Sequence, residues 1–127
     1  MFRNKTVILL TVLLLAIPAC QDDPEYEELS FTETSSPPLG YTTYVGPDHI
    51  VIPSGILQAV EAEVEYQGDR YLIGSFVDLA SRNENVLGIL SMGDKNHFLL
   101  IGRQPGQTCV DVTVNGEREE CIDVTVE

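Results

Sequence analysis

The sequence has no tryptophan, two histidines, three cysteines and only 7 lysines and arginines against 20 aspartates and glutamates. So few cations leave little counter-charge for phosphates, which argues against nucleic acid and anionic headgroups as partners. His49 and His97 have no second ligand or catalytic partner at zinc or triad spacing, so neither a zinc centre nor a histidine-based hydrolase is written here. No nucleophile elbow, phosphate-binding glycine loop or carboxylate pair with distinct environments appears. The reading is of a non-enzyme without cofactor or metal. After residue 20 there is no long apolar stretch of helical period, which excludes a helical bundle. Short apolar runs separated by Gly and Pro point instead to an all-β chain, and 127 residues suffice for one modest core.

The clearest pattern lies at the end, GRQPGQTCVDVTVNGEREECIDVTV over 102–126. Val110, Val112 and Val114 alternate with polar residues, as do Ile122, Val124 and Val126, which marks two strands with one buried face each. The tightest turn, with Asn115 and Gly116 as its central residues, would pair Val114 with Glu117 and set the two apolar rows on opposite faces. A three-residue loop, Val114-Asn115-Gly116, pairs Thr113 with Glu117 and puts all six on one face, with Cys109 directly opposite Cys121. A Cys109–Cys121 disulfide is therefore expected, worth about 2–3 kcal/mol for a loop of this length. The same register would set Asp111 against Glu119 as a like-charge pair.

Residues 1–19 carry Arg3 and Lys5, then an apolar stretch from Thr6 to Ala19. That stretch is too short to cross a hydrocarbon core of about 30 Å and has the layout of a secretory signal peptide. Without the leader, 5 basic and 20 acidic residues remain, a net charge of −15. The sequence IPAC at 17–20 resembles the lipobox of bacterial lipoproteins, with Pro18 as a departure. The resemblance implies acylation of Cys20 (palmitate among the expected chains) and its position as first residue of the mature protein. Lipidation also accounts for the odd cysteine in an exported chain. Cleavage by the ordinary signal peptidase after Ala19 is the alternative. Residues 20–43 read as the lipidated cysteine and a flexible acidic linker. QDDPE at 21–25 resembles an export signal that carries lipoproteins of one Gram-negative phylum to the cell surface. The expected location is the bacterial cell envelope, lipid-anchored at the outer membrane, with the periplasmic and surface faces both open.

Residues 44–127 read as the folded domain. His49–Ile52 forms an edge strand, and Val60, Ala62, Val64 and Tyr66 alternate with Glu61, Glu63 and Glu65 in a half-buried one. Extended segments follow at Tyr71–Ile73, Ser75–Leu79, Val86–Leu90 and Phe98–Ile101, at the spacing of a sandwich. The stretch from about Ile56 to Val126 resembles a bacterial immunoglobulin-like domain of the group-2 type. The resemblance rests on Leu79 at the usual tryptophan, Ser81, Val86 and Ile89, on Pro105-Gly106 ahead of Val110 and Val112, and on the closing Ile122, Val124 and Val126. It implies an immunoglobulin-like β-sandwich that binds a protein or glycan, or serves the envelope structurally. Tyr41 and Tyr44 are the candidate contact residues, unless they form the first strand and pack on the core. Two other roles are open: a secreted soluble domain that inhibits or accompanies an enzyme, and a weak cation-dependent adhesion module using Asp94, Asp111 or the Glu61–Glu65 row.

Overall fold

Period-two alternation needs two apolar faces to close on each other, and the computed structural model shows how they do. It describes residues 26–66, 75–93 and 96–127. The leader, Cys20, the QDDPE stretch, Tyr71–Ile73 and Asp94 lie outside the described residues. Among those described, the strands are β1 (Tyr26–Glu33), β2 (Tyr44–Val45), β3 (His49–Ile52), β4 (Leu57–Tyr66), β5 (Val77–Ser81), β6 (Leu87–Ser91), β7 (His97–Gly102), β8 (Gly106–Val114) and β9 (Glu117–Val126). They form two sheets, ordered β1-β4-β7-β6 and β2-β3-β9-β8-β5.

This is an immunoglobulin-like sandwich. Strands β1, β4, β7 and β6 stand as A, B, E and D, and β5, β8 and β9 as C, F and G. The first strand is split: β1 runs antiparallel to β4 on one sheet, whereas β3 runs parallel to β9 on the other. The core lies between the inner faces. Leu29, Val60, Phe98, Leu100 and Leu87 from the first sheet meet Ile50, Ile52, Val110, Val112, Ile122 and Val124 from the second, all buried. Leu79 occupies the inner face of β5, the strand that carries the buried tryptophan of antibody domains.

Two expectations are corrected. Residues 20–43 are not a flexible linker throughout, because Tyr26–Glu33 is a strand paired with β4 from Tyr26↔Tyr66 to Glu33↔Val60. Leu29 is completely buried, and Tyr26 and Phe31 pack against the core. The folded domain therefore includes residues 26–33, well ahead of residue 44. Burial of one face outweighs the acidity of this segment: Glu27, Thr32 and Glu33 are exposed at an edge of the sheet.

The second correction concerns the terminal hairpin. Asn115 and Gly116 form a two-residue turn with φ of 50° and 88°, and Val114 pairs with Glu117. Positive φ at both positions suits the right-handed twist of the flanking strands, which favours this turn over the three-residue loop. A bulge then inserts Glu119 between the pairs Thr113↔Arg118 and Val112↔Glu120. One extra residue restores the parity that the tight turn would break, so the Val and Ile of both arms still face the core. Cys109 now faces Asp123 and Cys121 faces Asp111, leaving the cysteines on a diagonal. Their Cα atoms are 5.6 Å apart and the disulfide is formed.

The docking of β1 has a measurable consequence. Leu29→Ala should destabilise the domain by about 2–5 kcal/mol, seen as a lower midpoint in urea or guanidinium unfolding. A change below about 0.5 kcal/mol, the size expected for a residue in a solvated linker, would contradict the packing of this strand.

Candidate functional site

The odd-numbered residues of β8 and β9 near the disulfide turn away from the core, and they carry polar chemistry. Asp111 is gripped from two sides. Arg82, at the end of β5, donates from Nε to Oδ2 at 3.0 Å and from Nη2 to Oδ1 at 3.1 Å, and Arg118 Nε donates to Oδ1 at 2.8 Å. The expected Asp111–Glu119 like-charge pair is not formed, because the bulge at Glu119 changes what Asp111 faces. Hydrogen bonds from Arg82 and then Arg118 hold the Asp111 carboxyl below the usual carboxylate range. With both oxygens engaged, Asp111 is a poor cation ligand.

The two candidate tyrosines are both about half exposed. Tyr44 lies in the short edge strand β2 and stacks on His49, with ring centroids 4.5 Å apart, while His49 Nδ1 is 3.0 Å from Asp48 Oδ1. Its neighbour Val45 packs against the core, so β2 is both a strand of the sandwich and the carrier of an exposed ring. Tyr41 belongs to the crossing segment 34–43, where its N–H donates to the Pro38 carbonyl at 3.0 Å.

That crossing segment is fixed by Gln58, a residue the sequence reading passed over. Gln58 is fully buried. Its Nε2 donates to the Ser35 carbonyl at 2.8 Å and the Ala59 carbonyl at 3.0 Å, and its Oε1 accepts from Thr43 Oγ1 at 2.9 Å. Ser35 Oγ in turn accepts the Ala59 N–H at 2.9 Å. One amide thus ties both ends of the segment to β4, with its polar atoms satisfied as burial demands.

Carboxylates crowd the opposite end of the sheet. Glu28 pairs across from Glu65, and its pKa is raised by desolvation and then by the Glu65 charge and hydrogen bond. Tyr26 donates to Glu120 Oε2, bridging the two sheets, and burial followed by that bond pushes the phenol far above its ordinary value. Glu61 is met by His97 Nε2 at 2.8 Å. Among the described residues no group of three or more His, Cys, Asp or Glu is arranged to hold a metal ion.

The Asp111 fork sets a pH dependence. A folded pKa below the unfolded value of about 3.9 means that the unfolded state takes up the proton first. Its stabilisation is complete above about pH 4 and fades as the pH falls through the lowered value. Asp111→Asn should therefore be less stable than the parent at pH 7, with the gap closing toward pH 2–3 in denaturant titrations. A gap independent of pH would assign the loss to packing rather than charge.

Comparison with known proteins finds the fold and no family. No protein-family model matches the sequence, and no curated protein matches it. Among solved structures, domains 4 and 5 of the S-layer protein SbsC align with a TM-score of 0.51 and 11% identity, over 82% of this chain and 53% of that one. Domains 5–6 of the same protein align with a TM-score of 0.51 and 12% identity, over 83% of this chain and 45% of that one. The chain spans about half the length of these structures. At such identity the likeness is one of architecture: this chain shares the β-sandwich of S-layer protein domains.

Proposed function

We propose that this is a non-catalytic lipoprotein of the bacterial envelope, anchored through Cys20 and displaying one immunoglobulin-like domain for binding or for envelope structure. The observation that carries the reading is the adjacency of two features. A lipobox-like IPAC ends at Cys20, and a strand of the sandwich, β1, stands only six residues later at Tyr26. The likeness to S-layer protein domains supports a role at the envelope, and a sandwich with a satisfied core suits recognition better than chemistry.

The early start of the fold changes how such a domain would stand. An extended chain covers at most about 3.6 Å per residue, so Cys20 and Tyr26 can be separated by about 20 Å at most. A linker of the expected length would have allowed a root-mean-square reach of about 25–30 Å with free orientation. An anchor at Cys20 would therefore lie close to the end of the sandwich that holds Tyr26, Glu28, Glu65 and Glu120. Those carboxylates would be repelled by anionic headgroups within a Debye length of about 8 Å, so the domain would stand off a surface of that charge as far as the short connection allows. The opposite end, where Ser54 N–H bonds the Glu127 carbonyl and Gly55 N–H bonds the Gly102 carbonyl, would point outward.

Intact mass of the chain from the membrane fraction of its host tests the reading. The expected mass is that of residues 20–127 plus acyl groups, less two protons for the Cys109–Cys121 bridge. Cys20→Ser should move the protein to the soluble fraction without changing its unfolding midpoint. An unacylated chain beginning at Cys20 would overturn the anchor and favour a secreted soluble domain that inhibits or accompanies an enzyme.

A further inference from the structure

The outer face of the β1-β4-β7-β6 sheet is divided in two by its register. On successive cross-strand rungs Leu57 pairs with Ile101, and Ala59 pairs with Leu99, which pairs in turn with Leu90. Met92 follows at the end of β6, its N–H bonded to the His97 carbonyl at 3.0 Å. Leu57, Leu90 and Met92 are each about half exposed, and Leu99 and Ile101 are partly so. Continuing along β4, the same face carries Glu61, Glu63 and Glu65, with Glu28 opposite Glu65 on β1. A solvent-facing sheet surface ordinarily alternates to polar residues throughout. Here two adjacent rungs are aliphatic, with the Arg103 guanidinium over Gly88 at the outer one, and the next three each carry a glutamate, the first of them paired with His97.

We propose that this face docks a protein partner whose contact surface presents an apolar patch bordered by lysine or arginine. The inference deepens the binding half of the function proposed above, and it names the surface and the partner chemistry. Charge complementarity selects the occupant. Glu28 stands opposite Glu65, its pKa raised by desolvation and then by the Glu65 charge, and a partner's cations would relieve that repulsion. A second copy of this chain would bring its own acidic row, at a formal charge of −13, against this one. Nucleic acid and anionic lipid are repelled for the same reason. A glycan finds no aromatic platform on the Leu57, Leu90, Leu99 and Ile101 rungs, whereas an aliphatic protein surface finds apolar area to bury. The apolar rungs also lie toward the end of the sheet away from Tyr26.

Site-specific photo-crosslinking in the native host tests this on the intact chain. The probe is p-benzoylphenylalanine placed at Leu57, at Leu90, or at Asp123 on the outer face of the other sheet. Leu57 and Leu90 should give a discrete protein adduct whose attached peptide carries Lys or Arg, and Asp123 should not. Glu63→Lys combined with Glu65→Lys should cut the adduct yield about fivefold or more, while the melting temperature and the disulfide remain as in the parent. Equal yield at Asp123, an adduct with lipid or with a second copy, no protein adduct, or indifference to the charge reversal would each overturn the proposal. The intact mass is read separately. A chain without acyl groups that still gives the Leu57 and Leu90 pattern would remove the anchor and leave the docking face standing.

Discussion

Everything in the second sheet depends on keeping one side-chain parity across the β8–β9 hairpin. The turn at Asn115-Gly116 is the tightest available, and by itself it would send the apolar residues of one arm to the solvent. Glu119, as the residue inserted in the bulge, prevents this. With parity restored, Val110, Val112, Val114, Ile122, Val124 and Val126 form a continuous inner floor. β3 can then add to β9 in parallel and β5 to β8 in antiparallel, each through residues whose neighbours already face the right way. The disulfide and the Asp111 fork come to lie outside for the same reason. They brace the sheet from its wet side and leave the core free of charge and sulfur.

The all-β class, most strands and the cysteine pairing were legible in the sequence because each rests on local alternation. The bulge was not, since nothing near Glu119 signals it: the choice between a loose turn and a tight turn with an insertion is made by backbone twist. β1 was hidden by composition. YEELSFTE looks like a solvated acidic tail, yet Leu29 and Phe31 on alternate positions suffice once β4 offers an edge. Gln58 was readable in principle, because it shares parity with Val60 and Ala62 and an inward amide on such a strand must find partners. The Arg82–Asp111 contact was beyond reach, as the two residues meet only through the β5–β8 pairing. Tyr41 and Tyr44 could be read either as contact residues or as part of a packed first strand, and only the fold shows both half exposed with Tyr44 in β2. Leu57, Leu90, Leu99 and Ile101 come from three separate strands, and only the register assembles them.

Gln58 and the Asp111 fork show two ways of spending polar groups in a small sandwich. The amide is buried, with hydrogen bonds to both ends of a crossing segment that has no sheet of its own to hold it. Loss of such a partner would strand donors and acceptors in the interior, where each costs about 1–3 kcal/mol. The Asp111 fork is open to solvent and screened, so its contribution is conditional on pH and salt. One fixes how the chain passes between sheets; the other trims the stability of a surface that the disulfide already constrains.

The split first strand carries a mechanical consequence. Tyr26 and Val126 lie at opposite ends of the sandwich, and β1 and β9 both run from the Tyr26 end toward the Val126 end. Tension applied between residues 26 and 126 would pull β1 and β9 along their own axes. Inter-strand hydrogen bonds run nearly perpendicular to antiparallel strands, so such a load is shared by the whole ladder at once instead of opening it bond by bond. A domain tied at its Tyr26 end and gripped near the other would therefore resist in shear. Its strand order makes it a stiff link under traction.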